Sequence, residues 1–117
     1  MNIVIYQETI DLEEPLNDFL NQVYRSQMNY LASDLLQQGL SSSEIKSAIQ
    51  RAMTIADSSG IDTQQHFMPV FTHHQSGIIR DCKLTKMGYG MVILNANPEN
   101  PIVGKWQTKI LNSYFGS

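Results

Sequence analysis

Residues 41–60 read SSSEIKSAIQRAMTIADSSG, and this stretch anchors the reading of the whole chain. Ser41 with Glu44 three positions on forms a capping box, in which each side chain satisfies the other residue's backbone amide. Ile45, Ala48, Ile49, Ala52, Met53 and Ala56 then recur at spacings of three and four, the stripe of an amphipathic helix. Ser58, Ser59 and Gly60 terminate it, so the spacing predicts a helix from residue 42 to about 58.

On the N-terminal side, Gly39 is placed to close a helix predicted over Asn29 to Gln38, because glycine takes the left-handed conformation at a helix end without strain. Further back, Asp11 is a candidate cap for a helix starting at Leu12. Glu13, Glu14 and Pro15 fall in its first turn, where the dipole favours acids and the amides lack partners. Leu12, Leu16, Phe19, Leu20 and Val23 give that helix one apolar face, and Glu14, Asp18, Asn21, Gln22 and Arg25 give it an opposite polar one. Asn2 to Tyr6 (Asn-Ile-Val-Ile-Tyr) reads as a short strand or extended arm.

On the C-terminal side, a short turn after Asp62 carries His66 and Phe67, with Pro69 marking its end. Val70 to Thr72 and Ile78 to Cys82 flank a turn near Ser76–Gly77 and predict a hairpin. Thr85 caps a helix running from Lys86 to about Asn95. Gly88 and Gly90 inside that helix disfavour it by about 1 kcal/mol each relative to alanine, which suggests close packing against its backbone. Asn97-Pro98-Glu99-Asn100-Pro101 is a loop. A last helix from Ile102 has Val103, Trp106, Ile110 and Leu111 on one side. The expected fold class is α+β: about five helices packed with a small antiparallel β-hairpin, in a single domain over residues 1–117. Within it, 1–28 form an acidic arm and helix and 29–113 the core.

Length and composition narrow the function. The chain has 117 residues, 42% hydrophobic and 16% charged, a globular and not a disordered balance. No apolar run approaches the ~18 residues of a membrane helix, and the N-terminus lacks the basic and apolar segments of a secretory leader. One cysteine, Cys82, forms no internal disulfide, which fits a reducing, cytoplasmic setting. The net charge of −3 is unevenly placed. Residues 1–60 hold eight acids and three bases, residues 61–117 three acids and five bases. A phosphate-tracking protein depends on clustered lysine and arginine, so direct DNA binding is disfavoured. The acidic front suits a basic protein surface instead.

Candidate chemistry is sparse. His66, His73 and His74, with Asp81 and Cys82, are chemically able to hold a metal, but their spacing matches no zinc pattern. The ordinary reading puts His66 at a helix end and His73–His74 on an exposed hairpin. Cys82 is expected to pack as a small apolar group. No serine sits in a nucleophile elbow, and Gly88-Tyr89-Gly90 is too short for a phosphate loop. No catalytic residue, metal or cofactor is assigned, and the chain is read as a non-enzyme. Phe19, Tyr24, Tyr30, Trp106, Tyr114 and Phe115 are expected in the core or at a dimer contact, with Tyr114 and Phe115 hidden by a second subunit.

Ala48-Ile49-Gln50-Arg51-Ala52-Met53 continues through Ala56, Ser59-Gly60, His66-Phe67, Val70, Gly77, Asp81, Leu84-Thr85, Tyr89 and Val92 to Asn95-Ala96-Asn97-Pro98, Pro101 and Gln107-Thr108. In order and spacing this series, over about residues 30–112, is similar to the DNA-damage-inducible protein D family and the related Bro-N type domains of phage antirepressors. The Trp-Ser-Ala-Arg opening of those relatives is replaced here by Tyr30-Leu31-Ala32-Ser33-Asp34-Leu35. The resemblance implies a phage- or prophage-encoded regulator in a bacterial cytoplasm, one that binds a phage repressor protein stoichiometrically and blocks its DNA binding. From the charge pattern, the expected partner-binding residues are Glu8, Asp11, Glu13, Glu14 and Asp18, with Phe19 and Tyr24 as apolar anchors. Two alternatives stand beside this. One is a Bro-N type DNA-binding regulator using Arg80, Lys83, Lys86, Lys105 and Lys109. The other is a modulator of the RecA-type recombination filament in the DNA-damage response.

Overall fold

The computed structural model describes residues 13–75 and 77–116. The expected arm at Asn2–Tyr6, the cap at Asp11, Leu12 and the turn residue Ser76 lie outside them. Among the described residues the fold is α+β, with five helices and a three-stranded antiparallel sheet. The order is α1 (Glu13–Ser26), β1 (Tyr30–Leu31), a 3-10 turn (Ala32–Leu36), α2 (Ser42–Ser58), α3 (Thr63–His66), β2 (Phe67–His74), β3 (Gly77–Leu84), α4 (Lys86–Leu94) and α5 (Pro101–Phe115).

Helix α2 forms where its caps and stripe require. Ser41 Oγ accepts from Glu44 N at 3.1 Å, and Ser41 N donates to Glu44 Oε1 at 2.9 Å. Ile45, Ala48, Ala52 and Ala56 are its buried residues. The three alanines have no exposed surface, and their small size lets α4 pack closely, so that Val92 is fully buried with them in one core cluster. Leu35, Leu84 and Val103 complete the centre of the core.

The helix expected over Asn29–Gln38 is not formed. Tyr30 and Leu31 are extended and pair with Leu84 and Lys83, which makes β1 the third strand of the sheet. Asp81 Oδ1 accepts from Ser33 N at 3.0 Å, and Asp34 Oδ2 accepts from Leu31 N at 3.2 Å. Both contacts draw amides out of a helical ladder, and only a five-residue 3-10 turn follows. Long-range pairing has overridden local propensity here. Gly39 still ends the segment at φ +99°, as its position suggested.

The hairpin extends beyond its expected limits. Phe67 pairs with Leu84 and His74 with Gly77, so Phe67 and Pro69 belong to β2 and not to the end of the preceding turn. β3 is the central strand, flanked by β1 and β2. Phe67, Pro69, Phe71 and His73 share one sheet face with Leu84, Cys82, Arg80 and Ile78, while Met68, Val70 and Thr72 share the other with Lys83, Asp81 and Ile79.

Helix α4 starts at Thr85, whose Oγ1 accepts from Gly88 N at 3.0 Å. Its last carbonyls are satisfied from two sides. Arg51 of α2 reaches Asn95 O through Nε at 3.1 Å and through Nη2, and Gln107 Nε2 of α5 donates to Ile93 O at 3.1 Å and Leu94 O at 3.2 Å. In α5, Val103 is buried and Trp106 and Ile110 are half-buried, but Leu111 is 51% exposed. Leu111 therefore does not share the inward side expected of it. One residue beyond Ile110, it is turned about 100° around the helix.

Candidate functional site

Two surfaces have the character of contact sites, and both follow from apolar residues that the fold leaves uncovered. The first is α1. Arg25 Nε approaches Met68 Sδ at 3.2 Å, and the helix packs chiefly on α3. Leu20, Val23 and Tyr24 are half-buried on that side. The N-terminal half overhangs: Leu16 is 58% exposed and Phe19 61% exposed, although both belong to the apolar stripe. Glu14 and Asp18 are exposed on the polar side. Apolar side chains left open in this way, beside charge of one sign, mark an interaction surface more than a solvated face.

Among the expected partner-binding residues, Glu14, Asp18 and Phe19 are exposed on the N-terminal half of α1, while Tyr24 is half-buried near its other end. Glu13 opens the helix, while Glu8 and Asp11 lie outside the described residues. The residues of the alternative basic set are distributed over three elements. Arg80 and Lys83 project from opposite faces of β3, Lys86 begins α4, and Lys105 and Lys109 are exposed on α5.

The second surface was not legible as a site in the sequence. A groove of about 670 Å³ lies between α2 and the outer edge of β3. β1 covers that edge only at Lys83 and Leu84, so from Gly77 to Cys82 no described strand pairs with it. Ile45, Ile49 and Met53 of α2 line one side, and Pro69, Ile79 and Cys82 the other. Lys46 and Arg80, both exposed, stand on its walls. The apolar surface continues past the groove along the same sheet face, where Phe71 is 72% exposed and Ile78 69% exposed.

The polar groups around this groove are arranged for structure. Burial raises the Asp81 carboxyl, but hydrogen bonds from Ser33, Thr72 and Cys82 outweigh it and hold the group below its ordinary value. Thr72 Oγ1 donates to Asp81 Oδ2 at 2.7 Å and lies 2.9 Å from His74 Nε2. That chain ties the hairpin to the 3-10 turn. Burial pushes the Cys82 thiol up to about 11, which keeps it protonated and unreactive at neutral pH. His66 Nδ1 is 2.7 Å from Thr85 Oγ1, and His73 is exposed at the hairpin end. Among the described residues, no three metal-ligating side chains converge, and no helix is long and apolar enough to cross a membrane.

Tyr30 and Tyr89 stack with ring centroids 4.7 Å apart, in the core region as expected of Tyr30. Tyr114, at 80% exposed, and Phe115, at 71%, meet only edge to face at the end of α5. No protein-family model matches this chain, and no curated protein or solved structure is significantly similar to it.

Proposed function

We propose that this protein acts by stoichiometric binding, as an antirepressor that occupies a phage repressor protein and blocks its DNA binding. The observation that carries this reading is the overhanging half of α1, where Leu16 and Phe19 are exposed beside Glu14 and Asp18. An amphipathic helix with a free apolar stripe and an acidic side is suited to a basic, DNA-reading protein face. Apolar anchors supply hold, and the charge supplies fast, salt-sensitive encounter. The resemblance of residues 30–112 to phage antirepressor and DNA-damage-inducible domains supports the choice of a repressor as that basic protein.

The test is displacement. Added to a complex of its prophage's repressor with labelled operator DNA, the chain is expected to release the DNA at about one equivalent per repressor subunit. Reversing Glu13, Glu14 and Asp18 to lysine should abolish release while leaving the fold intact, as read by the circular dichroism spectrum and a cooperative melt. Release that persists in the reversed chain would remove α1 as the contact element. No release by the wild-type chain would remove the function itself.

A further inference from the structure

The free half of α1 and the groove beside β3 match each other in apolarity and oppose each other in charge, and within one molecule they stay apart. α1 packs on α3, Arg25 sets its C-terminal end against Met68, and no described residue of α1 lines the groove. The groove is left open by the described residues of its own chain, so the helix that matches it comes from a second copy.

We propose that α1 of a second copy of this chain docks in the groove, with Leu16 and Phe19 entering between Ile49, Met53 and Pro69. Leu20, Val23 and Tyr24, further along α1, are already half-covered by their own molecule, so the incoming part is the N-terminal half, where Leu16 and Phe19 of the same apolar stripe are exposed. Asp18 lies about 100° around the helix from Phe19, at the flank of that stripe, within the field of Lys46 and Arg80 on the groove walls. Asp81, the acid at the groove, is committed to hydrogen bonds with Ser33, Thr72 and Cys82.

Charge also selects between the two overhanging helix ends of this chain. The end of α5 offers Leu111, Tyr114 and Phe115, but that helix bears Lys105 and Lys109 and no acid, and it would meet Lys46 and Arg80 with like charge. α1 brings acids. Each copy contributes one helix and one groove, so a two-fold arrangement forms the same contact twice.

This inference does not rest on the repressor reading, but it bears on it. Phe19 and Asp18 serve both contacts, so a docked α1 is withheld from a basic partner, and self-association regulates capture.

The experiment uses sedimentation velocity on three full-length chains across a concentration series. They are the wild type, the pair Glu14→Lys/Asp18→Lys, and the pair Lys46→Glu/Arg80→Glu. The wild type is expected to self-associate, and each reversed chain alone to associate at least ~10-fold more weakly, because its own helix and groove then carry like charge. An equimolar mixture of the two reversed chains regains opposite charges at both contacts and is expected to associate again. All four positions are exposed, and melting curves confirm folding. If either pair fails to fold, Phe19→Ser supplies the same loss of association. A wild type that stays monomeric throughout overturns the proposal, and so do reversed chains that associate like the wild type or a mixture that does not recover. The Lys46→Glu/Arg80→Glu chain keeps α1 intact, so its displacement of repressor tests the proposed function separately.

Discussion

A methyl group added at Gly88 would lie 2.5 Å from the carbonyl oxygen of His66, a backbone atom that cannot swing aside, whereas one added at Gly90 would meet nothing within 4 Å. The two glycines of α4 looked equivalent in the sequence, and only the first marks a close approach. Gly88→Ala is therefore expected to destabilise the fold by about 1–3 kcal/mol through overpacking. Gly90→Ala should stabilise it by about 0.5–1 kcal/mol, since alanine loses less freedom in a helix. Urea melts of both variants check the opposite signs. Asp81 carries the pH dependence at this scale. Its folded value lies below the ordinary 3.8, so its ionised form contributes stability above that pH. The contribution is lost as pH falls through the folded value. Asp81→Asn should melt at a lower temperature than the wild type at pH 7, and the gap should narrow as the pH falls through the folded value, which lies below 3.8. A gap unchanged by acid would remove the charge from the account.

At the scale of elements, the C-terminus of α4 is held jointly by its own cap, where Asn95 N donates to Met91 O and Val92 O and Ala96 N to Ile93 O, and by its neighbours. Gln107 from α5 and Arg51 from α2 converge on the carbonyls of Ile93, Leu94 and Asn95. Gln107→Leu leaves Leu94 O without a protein donor, while Ile93 O keeps Ala96 N at 3.2 Å, and a loss of about 1 kcal/mol is expected in chemical denaturation. A loss near zero would mean that solvent replaces the amide without penalty. Helix α2 and the hairpin were legible beforehand because their signals are local: a capping box, a 3.6-residue stripe, and a turn between two β-branched runs. β1 was not legible. Tyr30 and Leu31 are followed by good helix formers, and their extended conformation depends on Leu84 and Lys83, more than fifty positions later in the chain. The outward turn of Leu111 was missed for a different reason. It was grouped with Val103, Trp106 and Ile110, but one position beyond the half-buried Ile110 carries it about 100° around the helix.

At the scale of the whole molecule, both proposed contacts are with protein, and the distribution of charge bears on the DNA-binding alternative. The five late cations are spread over β3, the start of α4 and α5, with Arg80 and Lys83 on opposite sheet faces, and the net charge is −3. Generic duplex DNA is therefore expected to show no retained complex in gel shifts at ~0.15 M salt, and any weak binding at low salt should vanish on salt addition. A shifted complex stable at moderate salt would favour the DNA-binding alternative. By itself the sequence determined the α+β class, the limits of α2 and α4, the hairpin, and the acidic character of the first helix, because each is written in residues close together in the chain. Only the tertiary structure decided that the apolar stripe of α1 is left half-open, that β1 extends the sheet, and that α2 and the edge of β3 enclose a groove walled by Lys46 and Arg80. A sequence pattern states that a face is apolar. What covers that face depends on where distant segments come to rest.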